Sequence, residues 1–95
     1  MRCARVEFSG HAVRQMFQRH IRDKEVLSVI KDGCIIAEYL EDKPYPSVLV
    51  LGFAGDRPIH VVVGRDESSG LCVVVTAYIP DLRLWTDDFV QRRSR

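Results

Sequence analysis

The sequence lacks any apolar run near the roughly 20 residues that a membrane-spanning helix needs. Its opening "MRCARVEFSG" has no apolar core of the signal-peptide kind, so no secretory leader is expected. Net charge is small: 14 Lys and Arg against 13 Asp and Glu leave +1, so the total alone selects no partner. Only three cysteines occur, Cys3, Cys34 and Cys72, with no C-x-x-C pair. An odd, widely spaced set argues against a disulfide framework or a zinc site, and for three reduced thiols in a cytoplasmic protein. There are no internal repeats, low-complexity tracts or linkers. What is present is an ordinary apolar fraction of 46% in 95 residues, which suits one globular domain over 1–95.

The charge is unevenly spread. Residues 1–24 hold six Lys/Arg against two Asp/Glu, a local +4; residues 25–60 hold three against six, a local −3; residues 61–95 hold five of each and end in "RRSR". Any anion-binding surface should therefore use the first helix, with the tail as a second contributor.

"RVEF" (5–8) alternates like a short strand, and Ser9 is placed to cap a helix beginning at "GH". On that helix Val13, Met16, Phe17 and His20 fall on an apolar side, and His11, Arg14, Gln15 and Gln18 on a polar one. "RDKEVLSVIKDG" (22–33) predicts a second helix, capped by Asp23 and ended by Gly33 in the left-handed position glycine favours. Strands follow at 34–40, 47–53, 58–65 and 71–79, the last three joined by short turns into an antiparallel meander. "TDDFVQRR" (86–93) predicts a short terminal helix with Thr86 as cap. The expected fold is α+β in two layers: an antiparallel sheet of four to five strands, two N-terminal helices packed on it, and a short C-terminal helix.

"RPIHVVVGRD" (57–66) sets one histidine in a continuous apolar strand. Side chains alternate along strands, so the parity of the turn near "DESSG" decides the face that His60 shares. An odd loop sets His60 opposite Thr76 or Tyr78; an even loop sets it opposite Ala77. The odd loop gathers the polar strand side chains on one partly open face and is the register expected. Plainer readings stand beside this one. A strand histidine bonded to a neighbouring hydroxyl is often only a satisfied polar group. Tyr78 alone suits a core-edge aromatic, His11 and Arg14 a solvated helix face, and His20 a helix end. The three histidines have no metal-ligand spacing, and no metal or other cofactor is expected.

Three stretches in order resemble a small prokaryotic family of unknown function: "HAVRQMFQRHI", "KPYPS…LGF…RPIHVVVG" and "VVVTAYIPD…W", together covering roughly residues 9–85. Gln15 departs from the arginine that the family pattern sets before Met16. Such domains resemble the RelE/MqsR-type toxins of toxin–antitoxin modules. The resemblance implies a RelE-like α+β fold, an mRNA-cleaving activity, and neutralisation by an antitoxin protein carrying a zinc-binding CxxC domain. The motif positions are His11, Arg14, His60, Thr76 and Tyr78. The near-neutral charge departs from the basic character expected of an RNA-cleaving toxin.

Metal-free RNA cleavage uses the 2′-hydroxyl as nucleophile, and needs a base, an acid and a cation for the phosphate. Histidine suits proton transfer near neutral pH, and arginine clamps phosphate in bidentate fashion. His60, His11 and Tyr78 are the catalytic candidates, Arg14, Arg19 and Lys43 the phosphate contacts, and Thr76 a supporting residue. This set works only if the first helix lies at the rim of the open sheet face. The leading expectation is a cytoplasmic, toxin-like, metal-independent endoribonuclease, acting on free or ribosome-associated RNA. The alternative is a non-catalytic module holding a protein or peptide on the same face. A third reading is a structural domain whose histidines only satisfy hydrogen bonds.

Overall fold

Ser9 turns the chain from strand into helix: its hydroxyl accepts the Ala12 amide at 3.0 Å and donates to the Val75 carbonyl at 3.0 Å. One side chain thus caps a helix and ties it to the sheet. The structure, a computed structural model, describes residues 1–94. Its elements run β1 (Arg5–Phe8), α1 (Gly10–Arg19), α2 (Asp23–Asp32), β2 (Cys34–Tyr39), β3 (Ser47–Ala54), β4 (Arg57–Arg65) and β5 (Leu71–Tyr78).

One five-stranded sheet has the order β1-β5-β4-β3-β2. β3, β4 and β5 form the expected meander, and β2 pairs antiparallel with β3. The sheet is nevertheless mixed, because β1 lies parallel to β5, with Val6 beside Cys72 and Phe8 beside Val74. That placement packs Val6 and Phe8 against the core.

Both helices cover one sheet face. Ala12, Met16, Val26, Val29 and Ile30 form the core with Val50, Ile59, Val61, Val63, Val74 and Ala77. Gly52 permits the close approach of α2, since a Cβ there would stand 2.7 Å from a Val29 methyl. Gly33 also serves contact, not the left-handed conformation expected of it. Its backbone is extended (φ −76°, ψ 175°), and a Cβ would meet the Val29 and Leu51 carbonyl oxygens at 2.5 and 2.6 Å. The left-handed end is on α1 instead, at His20 with φ 56°. Asp23 opens α2 rather than capping it; Arg22 is the N-cap, and the Glu25 carboxylate accepts its amide at 2.8 Å.

Residues 86–93 do not form the expected helix. Phe89 is left-handed (φ 64°), Asp88 accepts from the Thr86 hydroxyl and the Val90 amide, and Trp85 bridges back to Arg92. Local side-chain acceptors and contacts with the sheet outweigh a weak helical preference over so short a stretch.

The cysteines also depart from expectation. Cys3 and Cys72 are joined in a disulfide, their Cα atoms 5.6 Å apart, and Cys34 is free and exposed. The parallel pairing of β1 with β5 brings together positions 69 residues apart in sequence. Closing so long a loop restricts the unfolded chain. Cys72→Ser, or reduction, is expected to cost about 3 kcal/mol, read as a lower midpoint in urea. An unchanged midpoint on reduction would show that the bridge adds nothing.

No helix among the described residues is long and apolar enough to cross a membrane.

Candidate functional site

Ile59, Val61 and Val63 point into the helix-covered core, so His60, Val62 and Gly64 point to the opposite face. Near the turn, Arg65 pairs with Cys72 and Gly64 with Val73. Continued unbroken, that register would set His60 opposite Ala77. A bulge intervenes at Val75, and beyond it Val62 pairs with Thr76 and His60 with Tyr78. The expected neighbours are therefore reached, but by the bulge and not by an odd loop.

The tail then covers this end of the face. Trp85 is 7% exposed and His60 is wholly buried. The two rings meet edge to face, with centroids 4.4 Å apart and planes at 89°. His60 Nε2 lies 2.8 Å from the Phe89 carbonyl oxygen, and Nδ1 lies 3.2 Å from the Tyr78 hydroxyl. A carbonyl only accepts, so Nε2 carries the proton. Nδ1 is then the acceptor, and Tyr78 donates to it. The left-handed turn at Phe89 aims its carbonyl at the imidazole, while the Phe89 ring meets Phe53 at 6.2 Å.

Burial lowers the His60 pKa below the ordinary imidazole value, and the hydrogen bond to Phe89 opposes this in part. The folded chain thus holds a neutral imidazole where the unfolded chain titrates normally. Stability should be full above about pH 6.5 and fall as pH drops through that value toward the folded pKa, by at most about 1.4 kcal/mol per pH unit from this group. Melts at pH 7.5 and 5.5 check this: His60→Gln should show the shallower dependence, and equal slopes would remove His60 as its source.

Burial raises the Tyr78 pKa, the nearby Tyr39 raises it further, and Arg92 opposes both. Tyr78 therefore keeps its proton at neutral pH, half-buried at the site's edge. The Arg92 guanidinium sits 5.6 Å from the Trp85 ring centroid.

The candidate residues divide between two sides of the sheet. His60, Tyr78 and Thr76 share one face. Lys43 borders the same face, on a loop that with Tyr45, Ser47, Gly64, Val73 and Val75 encloses a small cleft of about 110 Å³. His11, Arg14 and Arg19 are exposed on α1, across the sheet. The first helix does not rim the His60 face, because Ala12 and Met16 are needed over Val74 and Ala77 on the other. The expected single cleft joining His11 and Arg14 to His60 is thus not formed. Nor is the His60 end of its own face open; Val62 and Thr76, farther along, are half-exposed.

Trp85, Phe89, Tyr39 and Arg92 belong to the site; the sequence marked only Trp85, as the end of a motif stretch, and Arg92, within the basic tail, and assigned neither a place beside His60 and Tyr78. The lone tryptophan and the basic "RRSR" tail were the available signals. Among the described residues no group of three His, Cys, Asp or Glu is arranged to hold a metal ion.

Comparison with curated proteins and with solved structures found no match. A family model described as "Domain of unknown function (DUF4258)" matches residues 8–79. His60, Thr76 and Tyr78 fall inside that span, while Trp85, Phe89 and Arg92 lie beyond it. With the match running from the end of β1 through β5, the chain belongs to the DUF4258 family.

Proposed function

We propose that this chain is a toxin-like, metal-independent endoribonuclease of a toxin–antitoxin module, with the chemistry presented by Tyr78. The supporting observation is the hydrogen bond from the Tyr78 hydroxyl to a buried, neutral His60 with a fixed tautomer. Alone, His60 is out of reach of a substrate. Through Tyr78 its basicity reaches the surface. A 2′-hydroxyl gives its proton to the Tyr78 oxygen as the tyrosine proton moves to His60 Nδ1. The 2′-oxygen bonds to phosphorus, the 5′-oxygen leaves and takes a proton from water, and a 2′,3′-cyclic phosphate remains; the hydroxide so formed takes the proton back from His60 through Tyr78, which restores the neutral pair. Arg92, whose charge acts on Tyr78, supplies a cation for the phosphate; Lys43 lies toward the Gly64–Val73 end of the face. His11, Arg14 and Arg19 have no part at this face.

This reading takes the chain to be RelE-like and cytoplasmic, neutralised by an antitoxin protein with a zinc-binding CxxC domain, and acting on free or ribosome-associated RNA. A second reading is a non-catalytic module that holds a protein or peptide on the same face. The half-exposed Val62 and Thr76 beside the small cleft favour it, as does the near-neutral charge. Expression without a partner separates the two. Growth arrest with RNA breakdown supports the nuclease; a harmless folded protein that cleaves no RNA, with or without ribosomes, supports the binding module.

A further inference from the structure

The apolar side of α1 is wider than the surface it buries. Ala12 and Met16 pack into the core, yet Val13 is 52% and Phe17 81% exposed. One turn apart, they form an apolar ridge on the outer surface of the helix. The ridge continues into a shallow depression lined by Met16, Phe17, His20, Ile21 and Arg22. Exposing a phenylalanine this fully gives up the stabilisation of burial, and the fold gains no visible contact in exchange.

The helix that carries the ridge is basic. No Asp or Glu occurs between Phe8 and Arg22, while Arg14 and Arg22 flank the ridge and Arg19 lies on the same helix. Among the described residues neither Arg14 nor Arg19 has a carboxylate partner (salt bridges within 4.0 Å). Arg22 stands 3.9 Å from Glu25, but that carboxylate is held more closely by Arg57 at 2.8 Å and by the Arg22 amide. Its pKa is lowered first by that amide, with further help from Arg57. Arg57 also donates to the Arg19 and His20 carbonyls, adding a cation to the C-terminal end of α1.

We propose that the Val13–Phe17 ridge of α1 is a docking surface for an acidic amphipathic helix of a partner protein. Apolar side chains of that helix would meet Val13 and Phe17 and fill the depression, and its carboxylates would pair with Arg14 and Arg22. A second copy of this chain fits poorly, because symmetric contact would oppose like charges. RNA could stack on Phe17, but it offers nothing aliphatic to fill the depression. The surface lies across the sheet from Tyr78, so the proposal stands independently of RNA cleavage.

The test is selection of a random-sequence helical peptide display library on the immobilised protein, with Phe17→Ala as counter-target. Enriched peptides should carry Leu, Ile or Phe one turn apart, flanked by Asp or Glu. They should bind Phe17→Ala about 30-fold more weakly, as for a central anchor residue, and Arg14→Glu more weakly still at low salt. Thermal melts matching wild type keep the comparison sound, since Phe17 makes no core contact. No enrichment, enriched peptides without acidic bias, or equal binding by Phe17→Ala would overturn the proposal. So would self-association in sedimentation, or binding of oligouridine, that is abolished by Phe17→Ala; the ridge would then serve a second copy or RNA.

Discussion

Replacing Tyr78 by phenylalanine should lower RNA cleavage by about 10²–10⁴-fold, the usual contribution of one positioned proton-transfer group. The ring stays, so the aromatic contact with His60, 5.3 Å between centroids, is kept. Only the hydroxyl that links the buried imidazole to solvent is lost. His60 Nδ1 is then a buried acceptor without a partner, at a cost of about 1–3 kcal/mol. Cleavage is therefore compared well below the variant's melting temperature. His60→Ala is a poorer probe. With no exposure and contacts to Trp85, Tyr78 and Phe89, its loss should damage fold and activity together. A folded Tyr78→Phe protein as active as wild type would take the relay out of the mechanism.

Trp85→Ala should be the most damaging single change to stability. Trp85 fastens the tail: its ring lies on His60, Arg92 sits over it, and its backbone bridges to Arg92. Truncating a buried tryptophan costs about 3–5 kcal/mol, a large share of the roughly 5–15 kcal/mol that holds a domain together. A midpoint lowered by about 4–8 °C per kcal/mol is expected for a chain of this size. The loss should exceed simple cavity formation, because freeing the tail also removes the Phe89 carbonyl from His60 Nε2 and the Arg92 charge from the site. Amide exchange should show residues 84–93 losing protection first. A melt within a degree or two of wild type would mean that the tail is not anchored in this way.

The two helices and the meander were legible because each is encoded locally. Ser9 sits before an amphipathic stretch, and β3, β4 and β5 are apolar runs joined by short turns. The pairing of β1 with β5 was not legible, since it joins segments more than 60 residues apart with nothing in "RVEF" to name a partner. Once made, it also brings Cys3 to Cys72, which spacing alone could not suggest. The His60–Tyr78 contact was anticipated by gathering polar residues on one face, yet the device that delivers it, the Val75 bulge, leaves no mark in a run of valines. The tail misled because Thr86, Asp87 and Asp88 resemble a helix start. In the fold, Asp88 turns the chain locally and Phe89 takes a left-handed conformation that serves His60. On α1 the wheel named the apolar side, but periodicity could not say that Val13 and Phe17 stay outside the core.

The most direct test is to incubate the purified chain with a defined RNA in excess EDTA and identify the ends produced. A relay through Tyr78 and His60 requires no metal and must leave 2′,3′-cyclic phosphates, with cleavage lost in folded Tyr78→Phe. RNA left intact by folded wild-type protein, with and without ribosomes, would contradict it, as would metal-dependent cleavage leaving 3′-hydroxyl ends.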